Sequence, residues 1–149
     1  MTPDPTIIRA ARISERGALE ELQRRSSMHQ PMYRAQLAAH PDAIELPAAQ
    51  IAAGFVRVAE ENGMIAGFAV LLERTADACE LDGLFVEPDL WGQGIGRALV
   101  DAAAHEARKR GLSLTVIANP SARLFYESCG FTVEGEEQTR FGVALRMSR

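Results

Sequence analysis

Apolar and polar positions alternate with a period of two over Phe55–Glu60, and a nearly continuous apolar run fills Met64–Glu73. Between them, Glu61-Asn62-Gly63 carries the Asn-Gly hairpin signal, so the pattern predicts an antiparallel strand pair. A turn at Thr75–Ala78 leads to a third strand, Cys79–Val86, in which Gly83 breaks the pattern as a bulge does. The period then becomes helical. Ile95, Ala98, Leu99, Ala102, Ala103 and Ala107 form one stripe and predict a helix over Gly94–Arg110, with Arg108, Lys109 and Arg110 at its negative end and Gly111 as its stop. Leu112–Ile117 reads as a strand parallel to Cys79–Val86 through a right-handed crossover, the two splaying at their C-terminal ends. A helix from Ser121 aligns Ala122, Phe125, Tyr126 and Cys129 on one face and stops at Gly130; Phe131–Glu134 and Phe141–Met147 close the chain as strands.

The first third is more helical. Thr6–Arg9 reads as a short strand, and Ser14 as the N-cap of a helix running to about Ser27. A second helix follows Pro31, contains Met32 and Tyr33 and ends at His40-Pro41; Pro47, as a first helical residue, opens a short third one reaching Ala53. The order β-α-α-(α)-β-β-β-α-β-α-β-β describes an α+β sandwich, mostly antiparallel with one parallel pair.

Length, charge and cysteine content narrow this picture. A chain of 149 residues is expected to form one domain, residues 1–149. A net charge of −4 offers no basic face for nucleic acid. Cys79 and Cys129 have neither C-x-x-C spacing nor histidine neighbours, so no metal site or disulfide framework is expected. The start, Met1-Thr2-Pro3-Asp4-Pro5, resembles no leader and the longest apolar run is strand-length, which predicts a cytoplasmic protein without a membrane span. A homodimer is left open.

The candidate chemistry begins at Leu84-Phe85-Val86-Glu87-Pro88-Asp89-Leu90-Trp91-Gly92-Gln93-Gly94-Ile95-Gly96-Arg97, a strand entering a helix through a glycine-rich turn. Gly92, Gly94 and Gly96 free the backbone to turn several N–H groups into one concavity, where they join the orphan donors and positive dipole of the helix N-terminus. Such a place suits a diphosphate. It is not a P-loop, because Gly96 is followed by Arg97-Ala98 rather than Lys and Ser or Thr. Nor is it a dinucleotide fingerprint: the spacing is G-x-G-x-G and the next strand ends in Asn119-Pro120.

Leu84-Phe85-Val86-x-Pro88 with Gly92-x-Gly94-Ile95-Gly96-x-Ala98-Leu99 resembles the acetyl-CoA signature of the GNAT superfamily of N-acyltransferases. Asn119-Pro120-Ser121-Ala122-Arg123-Leu124-Phe125-Tyr126-Glu127-Ser128-Cys129-Gly130-Phe131 is similar to the second motif of that family. The likeness is sharp over roughly Glu80–Phe131 and departs from the pattern at Trp91, where the family usually has Arg or Gln; Gln93 is a substitute for the lost polar contact.

The resemblance implies a GNAT-like fold and acetyl transfer from acetyl-CoA to a primary amine, by direct attack in a ternary complex and without a metal. Leu84, Phe85 and Val86 would lie along the pantetheine arm, one backbone N–H polarising the thioester carbonyl. Trp91, Gly92, Gln93, Gly94, Ile95, Gly96 and Arg97 would hold the diphosphate, with Asn119 and Ala122 beside the arm. Tyr126 aligns with the proton donor to the thiolate, and Glu80 or Asp82 with the carboxylate that handles the amine; two residues apart on one strand, they share a side. Met28, His29, Met32 and Tyr33 stand where the family builds its acceptor wall. The acceptor is a small-molecule amine or a protein amino group. The alternative is a noncatalytic acyl-CoA-binding sensor or interaction domain.

Overall fold

The computed structural model describes residues 6–29, 34, 37–39, 44–140 and 142–149. Its strands are β1 (Ile7–Ala10), β2 (Val56–Glu61), β3 (Met64–Glu73), β4 (Ala78–Val86), β5 (Ser113–Ala118), β6 (Thr132–Thr139) and β7 (Gly142–Ser148), and its helices are α1 (Arg16–Met28), α2 (Ala48–Ala52), α3 (Ile95–Lys109) and α4 (Arg123–Ser128). The strands form one sheet in the order β1-β2-β3-β4-β5-β7-β6. β1–β2, β2–β3, β5–β7 and β6–β7 are antiparallel, and β4–β5 is parallel over Ala78–Leu81 with Ser113–Val116.

The chain divides into two compact units, Met1–Val70 with Gly83–Leu99, and Leu71–Asp82 with Val100–Arg149. In the first, α1 contributes Leu19 and Leu22 to a core that holds Val56, Val58, Phe68, Ile95 and Leu99, all essentially without solvent contact. The Asn-Gly turn does what its residues allow, Asn62 and Gly63 both taking positive φ (52° and 77°) to match the twist of β2 and β3. The entry to α1 departs from expectation. Ile13–Glu15 is a 3₁₀ turn, and Glu15, not Ser14, does the capping by accepting from the Arg12 N–H at 2.8 Å. Glu15 is held there by two bonds from Arg9, at 3.0 and 2.7 Å, which keep its carboxyl below the usual carboxylate range. Pro47 stands one position earlier than predicted, at the N-cap of α2, where its extended ψ of 131° keeps it out of the helix.

In the second unit, Cys79, Leu81, Leu114, Val116, Phe131 and Met147 are buried, as are Val100, Ala103 and Ala107 of α3. The predicted helix from Ser121 opens as a 3₁₀ turn, Pro120–Ala122, before α4 proper begins at Arg123. The reason is local: the Asn119 side chain accepts from the Ser121 N–H at 2.8 Å and holds the chain in a tighter turn. Gly130 ends α4 at φ 93°, as its position predicted. Of the helix expected after Pro31, Arg34 and residues 37–39 are helical, with Leu37 buried, while Met32, Tyr33 and its His40-Pro41 end lie outside the described residues, as does Phe141 at the expected start of β7.

Candidate active site

In the first unit the glycine turn forms the cradle that its sequence demands. Gly92 and Gly94 sit at φ 82° and 86°, and open space lies where each would carry a Cβ. Gly96 lies within α3 instead. Among the described residues, no carbonyl accepts from the N–H groups of Gly92, Gln93, Gly94, Ile95 or Gly96; the first helical bond is Ala98 N–H to the Gly94 carbonyl, 3.0 Å. Five donors and the start of a four-turn helix therefore stand together, with Trp91, Gly92, Gln93, Gly94 and Arg97 exposed. This donor set fits a diphosphate and needs no lysine to do so.

The strand that leads into the cradle is fixed from several directions. Glu87 N–H donates to the Ala66 carbonyl of β3 at 2.9 Å, and the Glu87 carboxylate pairs with Arg25 from the last turn of α1. That pairing raises the Arg25 guanidinium above its ordinary value. Gly67 allows the close approach of β3, since a Cβ there would lie 2.7 Å from the Phe85 carbonyl oxygen. The Phe85 ring packs against Phe68 at 5.2 Å and fills the space over Gly83, where a Cβ would fall 2.8 Å from it. Room for that ring is what Gly83 supplies.

Trp91 has a definite place. Its indole Nε1 donates to the Val86 carbonyl at 2.9 Å, and its ring meets His29, the residue capping α1, edge-on at 4.9 Å. His29 thus touches the cradle's entrance, and Met28 beside it is partly exposed.

In the second unit, Glu80 and Asp82 share one side of β4, and a residue the sequence did not single out joins them. Arg74 Nε donates to Glu80 at 2.6 Å and its second nitrogen donates to Asp82 at 2.9 Å. The guanidinium is raised above its ordinary value, chiefly by the Glu80 bond. Glu80 is the more enclosed carboxylate, its side chain 17% exposed against 40% for Asp82. A cation between two carboxylates on one strand face relieves their repulsion, but which residue supplies it cannot be read from spacing.

Tyr126, from α4, is 8% exposed and packs edge-on between Phe125 (5.1 Å) and Phe131 (5.4 Å). Burial pushes its phenol well above the ordinary tyrosine range, with nearby Cys129 adding to the effect. The group therefore keeps its proton at any neutral pH and is chemically an acid. Asn119 spends its carbonyl oxygen on the turn before α4, and Ala122 is half-buried within that turn. Among the described residues no cluster of three His, Cys, Asp or Glu side chains is placed to hold a metal ion.

The sequence model of the acetyltransferase (GNAT) family matches residues 19–131. A 5-NmdU N-acetyltransferase of Pseudomonas phage PaMx11 is 37% identical over 94 residues, 62% of this chain and 67% of that protein. The [ribosomal protein bS18]-alanine N-acetyltransferase of Escherichia coli is 36% identical over 75 residues, 48% of this chain and 50% of the enzyme, so the match spans half of that relative. Among solved structures, the PaiA N-acetyltransferase of Thermoplasma acidophilum in complex with coenzyme A superposes with a TM-score of 0.78 at 20% identity, covering 98% of this chain and 99% of that one.

Proposed function

The chain belongs to the acetyltransferase (GNAT) family and is an N-acetyltransferase, and from that premise we propose how its residues divide the work. The observation that carries the reading is the run of unpaired N–H donors from Gly92 to Gly96 at the start of α3, beside a strand end whose Val86 N–H is turned outward. When bound, acetyl-CoA supplies a thioester, an acyl group already activated toward an amine. Gly92, Gln93, Gly94, Ile95 and Gly96 hold the diphosphate through main-chain nitrogens, with Arg97 beside them. Leu84, Phe85 and Val86 orient the pantetheine arm as an added strand. An outward N–H of that strand stabilises the acyl oxygen as it gains charge.

Tyr126 is the proton donor to the departing sulfur; burial keeps its phenol protonated, so the proton is in place when the thiolate leaves. Asp82, the more exposed of the two carboxylates, receives the amine proton, directly or through water. Glu80 and Arg74 hold it in place. An amine with a pKa near 10 is almost wholly protonated at neutral pH, so the acceptor must lose a proton before it attacks. The acceptor class, small-molecule amine or protein amino group, follows the range seen in relatives that act on 5-NmdU and on a ribosomal-protein alanine.

The test is release of free coenzyme A thiol from acetyl-CoA in the presence of small primary amines and of short peptides with free N-termini. Amine-dependent release is expected. Acetyl-CoA binding without thiol release by any amine would overturn catalysis and leave only a binding module.

A further inference from the structure

The edge of β4 that faces away from β3 can be worked out from two contacts. Glu87 N–H points to the Ala66 carbonyl on β3. In a trans peptide the C=O and N–H point in opposite directions, so the Val86 carbonyl points away from β3. The Phe85 carbonyl lies against Gly67 on β3, so the N–H of Val86, at the other end of that peptide, also points away. Val86 therefore presents both its donor and its acceptor on the outer edge, the pair a ligand amide needs to add itself as a strand. The acceptor is already taken, by the Trp91 indole N–H at 2.9 Å.

We propose that Trp91 is a latch on the ligand-facing edge of β4: its indole occupies the Val86 carbonyl that an amide of the bound pantetheine arm claims, and donor binding exchanges one N–H for the other. The inference rests on the acyl-CoA reading above and adds to it a residue that opposes binding rather than aiding it. The geometry favours exchange over permanent capping. Trp91 is 42% exposed, so its indole N–H finds water when released, and its ring meets His29 edge-on. A ligand N–H then replaces an internal hydrogen bond of similar strength, and binding is weakened by the bond given up, typically about fivefold in affinity for one hydrogen bond.

Coenzyme A and ADP separate the possibilities, since both carry a diphosphate and only the former carries amides. In Trp91→Phe the ring remains and the N–H is gone. Calorimetric titration of the full chain is expected to show coenzyme A binding the variant about fivefold more tightly than the native protein, with ADP affinity unchanged. A second readout needs no variant: the chain has one tryptophan, so its indole N–H gives one resonance, expected to shift on saturation with coenzyme A and to stay in place with ADP. Equal or weaker coenzyme A binding by W91F, or an indole resonance that coenzyme A leaves unmoved, overturns the latch. If the native protein binds no coenzyme A, the donor reading falls and takes the latch with it.

Discussion

At the scale of single residues, burial decides what Tyr126 can do. The phenol is raised by desolvation, so the folded protein keeps it neutral where an unfolded tyrosine ionises, at a pH of about 10. Stability from this group is complete below that pH and is lost as pH rises toward the folded value. Tyr126→Phe removes this dependence while keeping the ring between Phe125 and Phe131. Thermal unfolding followed from pH 8 to 11 should therefore fall more steeply for the native protein than for Y126F. The same variant loses the proposed proton donor, and its kcat should drop by about 10²-fold or more with little change in coenzyme A affinity. Asp82→Asn is expected to lower kcat/KM for the amine by about 10-fold or more, and Glu80→Gln less, since Asp82 is the more accessible; the reverse order in steady-state kinetics would move the base to Glu80.

At the scale of elements, the cradle depends on backbone that side chains resist. Gly94→Ala meets no neighbour, because nothing lies within 4 Å of its Cβ, so its whole cost is the left-handed φ of 86°, about 1–2 kcal/mol. Gly54, at φ 80° beyond α2, offers the same strain away from the cradle. G54A should thus lose as much thermal stability as G94A while only G94A loses coenzyme A affinity by titration. α1 offers a different test. Arg16 donates to the Leu46 carbonyl at 2.7 Å, and Glu20, one turn on, accepts from the Leu46 N–H at 3.0 Å, clipping a buried residue by both backbone groups. Glu20→Ala strands that N–H and is expected to cost about 1–3 kcal/mol in denaturant unfolding.

Elements like these were legible where a local pattern determines them. Asn62-Gly63 fixes a hairpin, an apolar run of the right length fixes β3, and alternate glycines before an apolar stripe fix the cradle and α3. What the sequence hid were pairings between distant positions. Arg74 serving Glu80 and Asp82, Arg9 drawing Glu15 back over Arg12, and an indole reaching the Val86 carbonyl all depend on where a flexible side chain ends, which periodicity does not encode. Asn119 was read in two ways, as a turn former and as a pantetheine contact, and its bond to Ser121 bears out the first.

At the scale of the whole molecule, the charge pattern bears on how a polyanion could be held by a protein that is itself negative, with 20 acidic against 16 basic side chains. Much of the basic charge is already engaged: Arg9, Arg25, Arg74, Arg110, Arg123, Arg146 and Arg149 each pair with a carboxylate. On the proposed reading, attraction for coenzyme A then comes chiefly from main-chain donors and the end of α3, acting at contact distance, while the net charge repels at long range. Salt screens long-range terms first, over about 10 Å at 0.1 M and 3 Å at 1 M. Raising sodium chloride from 0.05 to 0.5 M is therefore expected to leave the coenzyme A Kd within about threefold, or to tighten it as the repulsion is screened. A grip made of lysine and arginine heads would weaken steeply over the same range, and that result in calorimetry would move the binding determinant from the Gly92–Gly96 backbone to side-chain cations.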